Sequence, residues 1–151
     1  MKLEKVLIQT KVATSGMPVR EIFAECSRVN APALPFCTKT GRIRGRITLK
    51  NILKMSCLPE YMVETAHILG DQLSSTDDLE AKVRQLLDNP ADPYSQEPGL
   101  TINSDASALK ALAIMEKNDT SYIFVVDEGE YRGIVTIQGL ARTLAALDRQ
   151  Q

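Results

Sequence analysis

Thr48 stands where a strand-like stretch gives way to a helix-like one, and a threonine at such a junction can bind an anion. The segment reads Gly45-Arg46-Ile47-Thr48-Leu49-Lys50-Asn51 and continues through Ile52-Leu53. At the start of a helix the hydroxyl and the unpaired backbone N–H groups face one point, which suits a phosphate. Asn51, three residues on, lies one helical turn away on the same face. The skeleton returns at Gly133-Ile134-Val135-Thr136, but Gly139 takes the place of the asparagine. A plainer reading stays open: both threonines are good N-caps, worth about 1 kcal/mol each, and Asn51 is also an ordinary first-turn residue.

The elements that must position these residues repeat as well. Gly41, Arg44, Gly45 and Thr48 match Gly129, Arg132, Gly133 and Thr136 at identical spacing. Before each lies an apolar strand, Ala33-Leu34-Pro35-Phe36-Cys37 and Tyr122-Ile123-Phe124-Val125-Val126. Glycine-bearing hairpin turns follow at Thr40-Gly41 and Glu128-Gly129. Before the strands the spacing predicts helices, one with a face of Val19, Ile22, Phe23 and Cys26, the other with Leu109, Leu112, Ala113 and Met115. Ser104-Asp105 is the expected start of the second. Final helices follow Thr48 and Thr136, the latter running through Leu140–Leu147. One unit of about 55 residues hardly builds a core alone, whereas two covering each other's sheets do. Between them, Leu58 to Leu73 has helical character, with Tyr61, Met62, Ala66 and Leu69 broadly along one side. Asp77 with Glu80 resembles a capping box for a helix from Leu79 to Leu87, which stops at Asn89-Pro90. Residues 92–99 read as loop, and the whole segment as packing or dimer surface, or as a site for a partner protein.

Composition narrows the function. The 151 residues carry a formal net charge of −1, so no whole-molecule field gathers nucleic acid or anionic membrane. No apolar run approaches the roughly 18 to 20 residues that span a bilayer, and the N-terminus lacks the apolar centre of a secretory signal. Cys26, Cys37 and Cys57 are odd in number and unpaired in spacing, which points to reduced thiols in the cytoplasm. His67, the only histidine, has no companion ligands, so no metal site is expected. There is no nucleophile elbow, no Gly-rich phosphate loop and no zinc pair, and the expectation is a protein without catalytic residues or a catalytic cofactor. Lys39, Arg42, Arg44, Arg46, Lys50 and Lys54 form a basic run in the first repeat alone. It reads as a solvated face, as a source of phosphate attraction, or as a contact for nucleic acid or an acidic partner. Few aromatics are interleaved to stack bases, which argues against single-strand binding.

Taken in order, Ala31-Pro32-Ala33-Leu34-Pro35-Phe36 with Gly45 through Asn51, and Thr120 through Asp127 with Gly133 through Thr136, resemble the CBS domain in tandem. The family is named after cystathionine β-synthase. The resemblance implies an α/β (α+β) fold: two β-α-β-β-α units in a pseudo-twofold arrangement, with an inserted helical segment. The first repeat is expected over 1–56, the insertion over 57–85 and the second repeat over 86–151. It also implies a stand-alone Bateman module, a regulatory homodimer that binds AMP, ADP, ATP or an S-adenosyl compound and signals to a partner protein.

Carried onto this chain, the family's ligand motif puts Thr48 on phosphate and Asn51 on ribose. Arg46 occupies a position that is apolar in the motif. The adenine side of the first site is expected from Thr10, Lys11 and Val12 with Ala31 and Ala33, whose small side chains leave room for a base. In the second copy Leu100, Thr120 and Tyr122 match these, and Thr136 matches Thr48, while Gly139 offers no ribose contact. The two sites are therefore expected to be unequal, the second impaired or empty. Two other readings remain: a ligand-free dimerisation or adaptor module, and a nucleic-acid-associated regulator using the Arg42–Arg46 face.

Overall fold

A computed structural model describes residues 1–68 and 78–148. In the first half, helix α1 (Val19–Val29) is followed by strands β1 (Ala33–Cys37) and β2 (Ile43–Thr48) and helix α2 (Leu49–Cys57). In the second, β3 (Thr101–Ile102) and α5 (Ala108–Lys117) precede β4 (Tyr122–Asp127), β5 (Glu130–Thr136) and α6 (Ile137–Ala145). Between them lie the short α3 (Glu60–Glu64) and α4 (Leu79–Leu86). The architecture is mixed α+β, with antiparallel β1–β2 in one sheet and β3–β4–β5 in the other. The first strand of the first repeat shrinks to a single parallel bridge from Ala13 to Phe36, the counterpart of Thr101 beside Phe124.

Local chemistry explains most boundaries. The Thr48 hydroxyl accepts from the Asn51 N–H at 3.0 Å and opens α2; the Thr136 hydroxyl does the same for Gly139 at 2.9 Å and opens α6. β4 and β5 are joined by Glu128-Gly129, both at positive φ (52° and 82°), the geometry that a two-residue hairpin loop requires.

Several sequence expectations are corrected. The cap of α5 is Ser107, which accepts from the Lys110 N–H; Ser104 is engaged elsewhere, its N–H and hydroxyl both donating to Asp127. The buried face of α5 is Ala108, Ala111 and Met115, whereas Leu109 is 76% exposed and Leu112 also faces outward. α6 ends at Ala145, short of Leu147. The helix expected from Leu58 is interrupted: Pro59 starts the five-residue α3, and a 3-10 turn, Ala66–Ile68, follows. Its remaining part, including Leu69, lies outside the described residues, as does Asp77; Asp78 caps α4, accepting from the Glu80 N–H.

The two repeats exchange segments. Ile8 pairs with Ile134 through two backbone hydrogen bonds of 2.9 Å, and Gln96 pairs with Arg46 through two of the same length. These bridges are displaced along the chain by the same number of residues, as are Gly45 and Gly133 beside them. Both glycines are needed for space: a Cβ at Gly45 would lie 2.8 Å from the Gln96 carbonyl oxygen, and one at Gly133 would lie 2.7 Å from that of Ile8. Accordingly Leu3 and Val6, from the start of the chain, complete the core around Ile102, Met115, Ile123 and Val135. Leu86, Ala91 and Tyr94, from the start of the second repeat, complete the core around Ile22, Leu34, Phe36 and Ile47. A third cluster, Ala31, Ala33, Phe124 and Ile134, joins the sheets. Cys26, Cys37 and Cys57 are free and buried, and burial pushes the thiols up, Cys26 to about 12. Among the described residues no helix is long and apolar enough to cross a membrane.

Candidate functional site

A cavity of about 440 Å³ opens where α2 of the first repeat faces the start of β4 of the second. On one side stand Arg46, Thr48, Lys50, Asn51 and Lys54; on the other, Asn118, Asp119, Thr120, Ser121 and Tyr122. Pro32 and Gln96 also line it. Lys50 and Lys54 are four residues apart on α2 and so share a helical face. With Arg46 they give the cavity three cations against the single carboxylate of Asp119, and the Thr48-capped helix start adds its partial positive charge.

Two side chains bind the crossing segment to this wall. Asn51 donates from Nδ2 to the Tyr94 carbonyl at 3.0 Å, and Ser56 donates to the Tyr94 hydroxyl at 3.1 Å. The Asn51 oxygen is left to accept from a ligand. An aspartate would meet the Tyr94 carbonyl with a second oxygen, so Asn51→Asp is expected to lower stability by about 1–2 kcal/mol. Urea unfolding checks this, and an unchanged midpoint would refute it. Opposite, Tyr122 accepts from Arg46 Nη1 at 3.2 Å; burial pushes its phenol up, and it remains a neutral hydroxyl.

Five of the residues expected from sequence therefore meet: Arg46, Thr48, Asn51, Thr120 and Tyr122. The grouping differs from the expectation, since Thr120 and Tyr122 join the threonine of the other repeat. Ala31 and Ala33 do not line the cavity; they are buried in a cluster with Phe124 and Ile134. Nor do Thr10, Lys11 and Val12. Thr10 shares a 2.7 Å hydrogen bond with the Tyr131 hydroxyl, and Val12 is half-buried. The Lys11 N–H donates to Glu25, beside a separate cavity of about 140 Å³. Glu25 is almost fully buried, and Arg28, donating twice at 2.8 Å, holds its carboxyl down at about 2 with help from Lys11. That carboxylate is already saturated, so it ties residues 10–12 to α1. The physical reason for the regrouping is the exchange of segments, which brings Gln96 to the Thr48 side and carries residues 8–12 past it.

Thr136 is fully buried. A Cβ on Gly139 would lie 3.0 Å from its hydroxyl and 3.1 Å from Ile8 Cδ1, so Ile8 occupies the space where a second ribose contact would go. The basic run divides three ways: Arg42 approaches Gly129, Arg44 stacks 4.5 Å over the Phe36 ring, and Arg46 turns into the cavity. Gln96, Asn118, Asp119 and Ser121 were missed by sequence reasoning.

Residues 92–146 match the family described as CBS domain. No curated protein matches the chain. Its fold resembles the CBS domain of a CBS domain-containing membrane protein from Sphaerobacter thermophilus, with a TM-score of 0.67 at 19% identity over 95% of this chain and 87% of that one. The CBS domain pair of protein MJ0100, in complex with 5′-methylthioadenosine and S-adenosyl-L-methionine, superposes with a TM-score of 0.63 at 18% identity over 96% of each chain. CBSX2 in complex with AMP gives 0.67 at 12% identity, over 98% of this chain and 99% of that one. Residues 92–146 thus match the CBS-domain family, and the chain as a whole has the fold of a CBS domain pair.

Proposed function

We propose that this chain is a regulatory module that binds an adenosine-containing ligand (AMP, ADP, ATP or an S-adenosyl compound) in the cavity between its repeats. The observation that carries this reading is the cavity itself. It brings the Thr48-capped helix start, the free Asn51 oxygen and three cations to face Thr120 and Tyr122. The Thr48 hydroxyl donates to a phosphate, which the helix dipole and the three cations attract, while the Leu49 N–H stays with the Pro32 carbonyl and the Asn51 N–H with Thr48; the Asn51 side-chain oxygen accepts from a ribose hydroxyl. The chemistry is binding without catalysis, in the cytoplasm. The structural neighbours that hold AMP or S-adenosyl-L-methionine support an adenosine ligand in general. The proposed repeats are 1–56 and 86–151, with 57–85 as the insertion between them.

The signal passes through an interface. Leu109 and Leu112 project from one face of α5, and Leu144 is exposed on α6. We assign these faces to a homodimer, or to the regulated partner, whose balance between two states the ligand shifts.

Titration calorimetry of the full chain with AMP, ADP, ATP, adenosine and S-adenosylmethionine tests the reading. At least one compound is expected to bind, and Thr48→Val to weaken a phosphorylated one about tenfold, a loss of ~1.4 kcal/mol. The lost cap also lowers stability by about 1 kcal/mol, so both proteins are compared well below their melting points. Absence of heat and of thermal shift with every compound would favour a ligand-free adaptor.

A further inference from the structure

The residue after the glycine of each repeated unit sits at the crossing point of the two halves, yet the copies differ there in chemistry. Ile134 is fully buried and apolar where it pairs with Ile8. Arg46, at the equivalent place, puts a guanidinium into the crevice. Its Nη1 reaches Tyr122 and lies 2.9 Å from where a Cβ on Gly99 would stand. Its Nε is enclosed and has no hydrogen-bond acceptor. Among the described residues no carboxylate forms an ion pair with Arg46. A buried charged donor left without an acceptor bears its full desolvation cost, which an arriving anion removes. Lys50 and Lys54, like charges one turn apart on α2, are relieved by the same anion.

We propose that this cavity selects phosphorylated adenine nucleotides over S-adenosyl compounds, and that Arg46 is the residue that sets the choice. The inference rests on the adenosine-binding reading above and narrows it to one ligand class. A phosphate offers several acceptor oxygens to a guanidinium fork, reached by a small rotation of Arg46 as the ligand enters. S-Adenosylmethionine, the sulfonium member of the S-adenosyl compounds, instead brings that cation, and with its amino group a net positive charge, into a crevice with an excess of cations. Adenosine brings neither charge and serves as the neutral reference.

The experiment is calorimetry on the full chain at low ionic strength with AMP, ATP, adenosine and S-adenosylmethionine, using the natural protein, Arg46→Leu and Arg46→Lys. The natural protein is expected to bind AMP or ATP at least about tenfold more tightly than adenosine, and S-adenosylmethionine more weakly than adenosine. Arg46→Leu, which restores the apolar character of Ile134, brings the phosphorylated and neutral ligands within about threefold of each other. Arg46→Lys retains part of the gap. Inorganic tripolyphosphate, which has no adenine, is expected to raise the melting temperature of the natural protein but not of Arg46→Leu. The ligand-free variant melts no lower than the natural protein, because the orphaned donor has gone. Equal affinity of the natural protein for adenosine, AMP and S-adenosylmethionine would overturn the selectivity and leave adenosine binding intact. A charge preference that survives in Arg46→Leu would remove Arg46 as its cause. If none of the compounds binds, the underlying reading fails along with it.

Discussion

Phe124→Ala is expected to destabilise the chain by about 3–5 kcal/mol, a large share of the 5–15 kcal/mol that holds a domain of this size together. Phe124 is almost fully enclosed and belongs to the cluster of Ala31, Ala33 and Ile134 that joins the two sheets. Its ring also meets two others, Tyr122 at 5.4 Å in a tilted arrangement and Tyr131 at 5.9 Å edge-on. The buried members of the cluster from the first repeat are alanines, which have no side-chain length with which to collapse into the space left behind; Ile8 and Val29 only border it. The loss therefore combines transfer free energy with a cavity that stays open. In thermal unfolding the midpoint should fall by about 10 °C, given about 2–4 °C per kcal/mol for a chain of this length. A loss below about 1 kcal/mol would show that the repeats are not held together through this ring.

The second large effect is expected from Gly45→Val. Its Cβ would stand 2.8 Å from the Gln96 carbonyl oxygen, a backbone atom that a rotamer change cannot move aside. Overpacking of this kind costs about 1–3 kcal/mol. Breaking the paired Arg46–Gln96 bonds adds about 1 kcal/mol for each bond lost. Because Gln96 lines the cavity, nucleotide affinity is expected to fall together with stability. Gly133→Val is the matched control. It crowds Leu7 and the Ile8 carbonyl to a similar degree, on the side where the cleft is already filled. It should cost at least as much stability in urea unfolding, since Gly133 also sits at φ 157°, yet leave nucleotide affinity nearly unchanged when both proteins are measured folded. Equal losses of affinity in the two variants would argue that the cavity depends on global stability rather than on the seating of Gln96.

Much of the fold was legible because it is written in short-range chemistry. Thr48 and Thr136 cap their helices with their own hydroxyls, and Glu128-Gly129 adopts the turn its residue types favour. The apolar strands lie where two five-residue apolar runs appear. Expectations failed where neighbours distant in sequence decide. Leu109 and Leu112 read as core, but the sheet beneath α5 accepts only Ala108, Ala111 and Met115. Ser104 looked like a cap, but Asp127 engages it first. Ala31 and Ala33, read as space for a base, are the small residues against which Phe124 packs.

The sequence alone determined the repeated unit, its hairpins and helix starts, and the difference between Asn51 and Gly139. Each of these depends on residues within a turn or two of one another. Only the tertiary structure decided that Thr48 and Asn51 face Thr120 and Tyr122, and that Ile8 fills the other cleft. It also decided between the two readings open for Arg46, a solvated face or phosphate attraction, by placing the side chain in the crevice. Those outcomes follow from the exchange of segments between the halves, in which Gln96 and Ile8 each pair with a strand of the opposite repeat. Pairing across such a distance is fixed by backbone hydrogen bonds and by room beside two glycines, and local side-chain patterns carry no record of the partner.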